Sequence, residues 1–154
     1  IQALVIETAG ETFCIPLNSV LESIMVQRSE IQTIEGHEVV SLRGRTLPLL
    51  ELARVFDLRE QTTESSRLYV VVVGLAQHRV GLVVDELLGQ QDVVIKPVGR
   101  ALRQVPGIAG ATELGANRTV LLLDVATLVS EAVGGVEAVT AGLGGEGERE
   151  GVHG

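Results

Sequence analysis

The sequence predicts an all-β protein built as two small barrels that share a hydrophobic interface. Three observations predict it. Apolar runs are short, β-branched and separated by turn residues, which gives roughly nine or ten strand candidates. The polar stretch Glu60–Ser66 divides them into two comparable groups of about five, each with a short helical signal. Five short strands left open would expose bare edges, so closure into barrels is the economical arrangement. A shared interface eases the surface-to-volume burden on two small cores. The 154 residues are 45% hydrophobic but only 2% aromatic, so the core must be made of Val, Leu and Ile.

The elements follow in order. Ala3–Ala9 and Thr12–Leu17 flank Gly10-Glu11 as a hairpin. Val20–Val26 alternates poorly but is rich enough in β-branched residues for a strand. "HEVVSLRG" and "RTLPLLEL" flank Arg43-Gly44 as a second hairpin. Pro48 has no amide to donate, so it belongs at an edge or a bulge. Leu52–Leu58 has helical spacing. "RLYVVVVG" is continuously apolar, as a strand buried on both faces would be. "QHRVGLVVDELLG" follows, and Gln90-Gln91 reads as a polar interruption before a strand at Val93–Pro97. Alternation there places Val93 and Ile95 in the core and leaves Val94 and Lys96 exposed. "GIAGATELG" reads as a closely packed strand rather than a phosphate loop, because it lacks a lysine and a following helix. The last segment starts as a strand at Thr119 and turns helical after Asp124, a good N-cap residue.

Residues 1–133 are expected to form the ordered domain, with barrel one mainly about 1–65 and barrel two mainly about 66–133, strands being free to exchange. Residues 134–154 hold eight of the 18 glycines, four glutamates and one arginine, and read as a flexible tail or linker. The chain begins at Ile1, as a piece cut from a longer protein would.

Several function classes are disfavoured. A formal net charge of −8 and three aromatic residues argue against phosphate-backbone or base-stacking recognition of nucleic acid. No apolar run reaches membrane-spanning length, and no secretory signal is present. The single cysteine, Cys14, permits no internal disulfide, fits a reducing cytoplasm and reads as a small core hydrophobe. His37 and His78 sit beside turns and His153 in the tail, none with a partner at metal-ligand spacing. Asp85 and Glu86 would point to opposite faces of a strand and form no acid–base couple. Nothing calls for a metal or cofactor, and no catalytic constellation survives inspection.

Recognition is what remains, and three stretches carry it: "SLRGRTLPLLEL" (Ser41–Leu52), "RVGLVVDELLGQQDVVIKPVG" (Arg79–Gly99) and "VPGIAGATELG" (Val105–Gly115). Their order and spacing over about residues 1–131 resemble the CheW-like domains of bacterial chemotaxis. The first two motifs are shared by the coupling protein CheW and the C-terminal regulatory domain of the histidine kinase CheA. "LLGQQDVVIKPVG" with "VPGIAGATELG" and "TVLLLDVATLV" resembles the kinase domain more.

That resemblance implies two intertwined five-stranded SH3-like barrels and no catalysis in this segment, the kinase domains lying upstream in the same chain. It implies a cytoplasmic docking module that joins the kinase to the CheW coupling protein and to the chemoreceptor tip at membrane-associated arrays. Arg43 matches the arginine of the family's "LRG" turn beside the receptor groove, where a guanidinium could reach carboxylates or carbonyls of a helical partner. Arg43→Glu is expected to weaken receptor binding while the fold persists. Gly44 supplies the positive φ of the turn. Leu47, Leu49 and Leu50 are too many apolar residues for one face, so Leu47 joins the expected partner surface, with Val94 and Lys96. The competing readings are a free-standing coupling adaptor of the same fold and a small β-barrel hydrolase using His78 or Cys14.

Overall fold

The computed structural model describes residues 1–58, 66–100, 105–115 and 118–134. Residues 60–65 of the expected loop Glu60–Ser66, the expected tail or linker beyond 134 and His153 lie outside the described residues. The described chain is all-β with few helices. Strands β1 (Gln2–Thr8), β2 (Glu11–Pro16), β3 (Val20–Gln27), β4 (Gln32–Ile34), β5 (His37–Leu42) and β6 (Arg45–Glu51) precede helix α1 (Leu52–Val55). Then come β7 (Arg67–Leu75), β8 (His78–Val84), β9 (Glu86–Asp92), β10 (Ile108–Leu114) and β11 (Arg118–Leu123). A second helix, α2, occupies 125–134. Asp124 caps it: its Oδ1 accepts from the Thr127 amide at 3.2 Å and its Oδ2 from the Thr127 hydroxyl at 2.8 Å.

Two sheets form, one of five strands in the order β10-β11-β2-β1-β9, the other of six in the order β3-β7-β8-β6-β5-β4. Among the described residues neither closes through a continuous ladder, which corrects the expectation of two closed five-stranded barrels. In the five-stranded sheet a single antiparallel bridge, Lys96 to Ala111, links the segment after β9 to the edge strand β10. Its two backbone bonds measure 2.7 and 2.9 Å. The physical reason is local. Gly110 carries no Cβ, and one there would lie 2.8 Å from Ile95 Cγ2 and 3.2 Å from the Lys96 carbonyl. The missing side chain lets the two backbones approach closely enough for this bridge.

The apolar runs are explained by burial on both faces. Successive residues of one strand enter different cores, since side chains alternate across a strand. Val71 and Val73 of β7 enter a large core with Leu4, Ile6, Phe13, Ile15, Val80 and Leu82. Val70 and Val72 enter a second core with Val26, Val40 and Leu47. Ala3, Val5, Cys14, Val120 and Leu122 make a third, within the five-stranded sheet. The large core therefore draws on strands of both sheets and is the shared hydrophobic interface expected from the sequence. Val70 to Val73 are completely buried, each worth about 1.5 kcal/mol or more in transfer free energy. Two of the three aromatic residues also bridge the layers. Phe13 of β2 stacks on Phe56, just past α1, with centroids 5.3 Å apart.

Three tight turns share one backbone solution. Ala9-Gly10, Glu35-Gly36 and Arg43-Gly44 have φ of 49° and 79°, 50° and 79°, and 50° and 79°. Two consecutive positive φ values match the right-handed twist of the flanking strands. The first turn thus falls one residue earlier than Gly10-Glu11. Pro48 lies where β6 changes partners: residues 45–48 pair with β5 and residues 49–51 with β8. The residue without an amide stands where only one flank is laddered.

Candidate functional site: an arginine-lined groove at the β5–β6 hairpin

The hairpin tip forms one wall of a groove of about 560 Å³. Leu42, Leu47 and Pro48 of the hairpin supply apolar lining, and Val133 of α2 approaches from the end of the described chain. Arg43 and Arg45 stand at the hairpin turn, and Gln77, His78 and Arg79 come from the β7–β8 turn. Three guanidiniums around one groove are a local excess of positive charge in a chain of net charge −8. Such a groove suits an occupant with an apolar face and carboxylates.

Arg43 is not a free guanidinium. Its Nη1 donates to Glu22 Oε2 at 2.8 Å and its Nη2 to Glu22 Oε1 at 2.6 Å, a two-point fork. That hydrogen bonding, with the charge of Arg43 and a smaller contribution from Arg79, holds the Glu22 carboxyl below the usual carboxylate range. Glu22 belongs to β3, an edge strand of the same sheet, four strands from β5 in the sheet order. Its partnership with Arg43 had no signal in the sequence beyond a lone charge in an apolar strand. Among the described residues Arg45 and Arg79 make no ion pair, although the charge of Arg79 also acts on Glu22.

Of the other expected site residues, Gly44 and Leu47 belong to the same hairpin, and Val94 and Lys96 lie elsewhere. Gly44 sits at the turn with φ 79° and open space around it. Leu47, expected to be exposed for a partner, is 4% exposed and belongs to the second core. It reaches inward because β6 alternates, and its Cδ2 would lie 3.1 Å from a Cβ on Gly81. Leu49 and Leu50, half-buried, take the intermediate positions. Val94 and Lys96 are exposed as expected, but in the segment after β9 of the five-stranded sheet, and neither lines the groove. Lys96 Nζ pairs with Glu113 Oε1 at 2.8 Å.

The stretch from Leu87 to Gly99 departs most from expectation. Gln90 and Gln91 are not an interruption; they continue β9 opposite Leu4 and Ala3 of β1. The irregularity lies at Leu88-Gly89, where the register shifts and Gly89 takes φ 109°. The strand then ends at Asp92. Val93 is buried, whereas Ile95 is 44% exposed and not core, because the chain leaves the sheet before its alternation can turn Ile95 inward.

The residues of the hydrolase alternative are not brought together. Cys14 is fully buried in the five-stranded sheet, with its thiol pushed up by burial, the opposite of an activated nucleophile. His78 lines the groove at the start of β8 in the other sheet. Among the described residues no group of His, Cys, Asp or Glu could hold a metal ion, and no helix is long and apolar enough to cross a membrane.

Residues 2–133 match the family model of the CheW-like domain. The chain is 40% identical over 132 residues to the sensor histidine kinase CheAY of Helicobacter pylori, covering 86% of this chain and 16% of that protein. It is 41% identical over 130 residues to the chemotaxis protein CheA of Treponema pallidum, covering 84% of this chain and 16% of that protein. It is also 41% identical over 124 residues to CheA of Salmonella typhimurium, covering 80% and 18%. The chain thus spans about a sixth of the length of these relatives. The crystal structure of the scaffolding protein TtCheW from Thermoanaerobacter tengcongensis shares the fold, with a TM-score of 0.69 at 18% identity over 80% of this chain and 88% of that one. The chain belongs to the CheW-like domain family, and its homology is to the CheW-like regulatory domain of CheA proteins.

Proposed function

We propose that this chain is the non-catalytic regulatory domain of a chemotaxis-type histidine kinase, and that it docks the kinase in the cytoplasm to a CheW-type coupling protein and to the chemoreceptor tip. Receptor state would reach the upstream kinase domains of the same protein through this contact. The observation that carries the reading is the arginine-lined, apolar-floored groove at the β5–β6 hairpin. Its relatives named CheA and CheAY support a kinase context. The free-standing adaptor has the same fold, but the likeness to TtCheW is 18% in sequence and speaks to fold alone.

In this reading Arg43 acts through Glu22. The fork fixes the hairpin tip against β3, so the groove is preorganised and Arg45 and Arg79 meet the partner's carboxylates. Arg43→Glu would set a carboxylate against Glu22, so it tests the tip and the charge together. Arg45→Glu isolates the charge.

The test is a calorimetric titration of the full chain with a CheW-type coupling protein, repeated with a receptor-tip fragment. Saturable one-to-one binding to the coupling protein is expected, with receptor-fragment affinity reduced at least about tenfold by Arg45→Glu, as for a charge-assisted contact. A folded sample that binds neither ligand would sink the docking reading. Equal receptor affinity for wild type and Arg45→Glu would sink the groove assignment.

A further inference from the structure

The described chain ends beside the groove. Val133 lines it, and α2 continues to residue 134, so the segment that follows starts at the groove's rim. That segment, 135–154, carries Glu137, Glu146, Glu148 and Glu150 against one arginine, Arg149. The groove presents the opposite charge, with Arg45 and Arg79 in no ion pair among the described residues. From these observations we infer that the acidic segment Glu146–Glu150 of this same chain occupies the arginine groove and competes there with an external acidic partner.

Reach and charge both allow it. At roughly 3.3 Å per extended residue, the chain between 134 and 146 spans up to about 40 Å, and it starts one residue after Val133 of the groove lining. Glycines at 144, 145 and 147 flank the first glutamate and leave the backbone free to approach the arginine wall. A tether of this length presents its carboxylates at an effective concentration on the order of millimolar. Each carboxylate–guanidinium contact at an exposed rim is weak and salt-sensitive. A contact of that strength holds the groove when no partner is present and yields to one that also buries the apolar floor. The competition rests on the docking role proposed above; the contact itself does not.

Paramagnetic relaxation on the full 154-residue chain tests it. A nitroxide on Gly147→Cys reports the segment's position. Cys14 is buried, and unlabelled wild type treated with the same reagent controls for it. At low salt the amides of residues 42–48 and 77–79 are expected to lose intensity. The loss should be independent of protein concentration, and about 1 M salt, where the Debye length is about 3 Å, should remove it. Arg45→Glu with Arg79→Glu should remove it at low salt. Broadening spread evenly over the surface, or unchanged by salt and by the arginine reversals, would overturn the contact. Broadening that grows with concentration would assign the groove to the same segment of another copy and overturn the intramolecular claim. A receptor-tip titration of Glu146→Gln, Glu148→Gln, Glu150→Gln then separates the two proposals. Higher affinity than wild type supports competition. Unchanged affinity with groove broadening intact in the parent chain would overturn the competition and leave the contact of residues 146–150 standing.

Discussion

The β5–β6 hairpin and the segment from β9 to Lys96 each offer one cation that the sequence nominates, and the two are held in place in opposite ways. The hairpin is local. A two-residue turn with Gly44 at φ 79° sets the register of β5 on β6, and Arg43 at its tip then finds Glu22. The β9 segment is set from far away. Its partner is β1, which lies near the start of the chain and pairs Glu7 with Glu86 and Gln2 with Asp92, and a bulge at Gly89 shifts its register midway. Lys96 then bridges to Ala111 because Gly110 leaves room. Short-range turn chemistry makes a feature readable from sequence; long-range pairing does not.

The largest expected effect tests whether the hairpin is anchored by its core rather than by its tip. Leu47→Ala removes a buried side chain from the second core and should cost about 2–5 kcal/mol in chemical denaturation. A loss near zero would return Leu47 to the surface role expected from sequence. The matching change in the other region is Gly110→Ala, whose Cβ would meet Ile95 and the Lys96 carbonyl. It should cost about 1–3 kcal/mol and speed hydrogen exchange at the Lys96 and Ala111 amides specifically. Unchanged exchange there would show that the bridge does not depend on the glycine.

Thr112 sharpens the comparison within the five-stranded sheet. Its hydroxyl is buried with no hydrogen-bond partner among the described residues. Thr112→Val keeps the shape and removes the unpaired group, so stability should rise by about 1 kcal/mol. A loss of stability would mean the hydroxyl is satisfied.

The smallest effect concerns the two ion pairs. Lys96→Ala breaks a pair exposed on both sides and should leave the denaturation midpoint unchanged. The Arg43–Glu22 fork should show a pH signature instead. Glu22 titrates lower in the folded state than unfolded, chiefly through its hydrogen bonds to Arg43. Its stabilisation is therefore complete above the ordinary glutamate range, about 4.3, and is lost as pH falls through the lower folded value. Arg43→Ala should be less stable than wild type at pH 7, and the gap should close on acidification below that range. A gap that is constant with pH would exclude the fork as its source.

Much of the β content follows from short-range sequence patterns. The Arg43-Gly44 turn, the strand at Val20, the buried run of β7, the Asp124 cap and the close packing of Gly110 all follow from local rules of turn, alternation and capping. The shared core was also legible, because runs such as "VVVV" at 70–73 are stable only with both faces covered. Tertiary structure alone decided the register of β9 through Gln90 and Gln91, the exposure of Ile95 and the burial of Leu47. It also decided the joining of Glu22 to Arg43 and the meeting of His78, Arg79 and Val133 at one groove. Each of those depends on which strand lies beside which. Residues distant in the chain meet only once the sheets have formed, and a strand's alternation fixes which residues share a face without saying which face is buried.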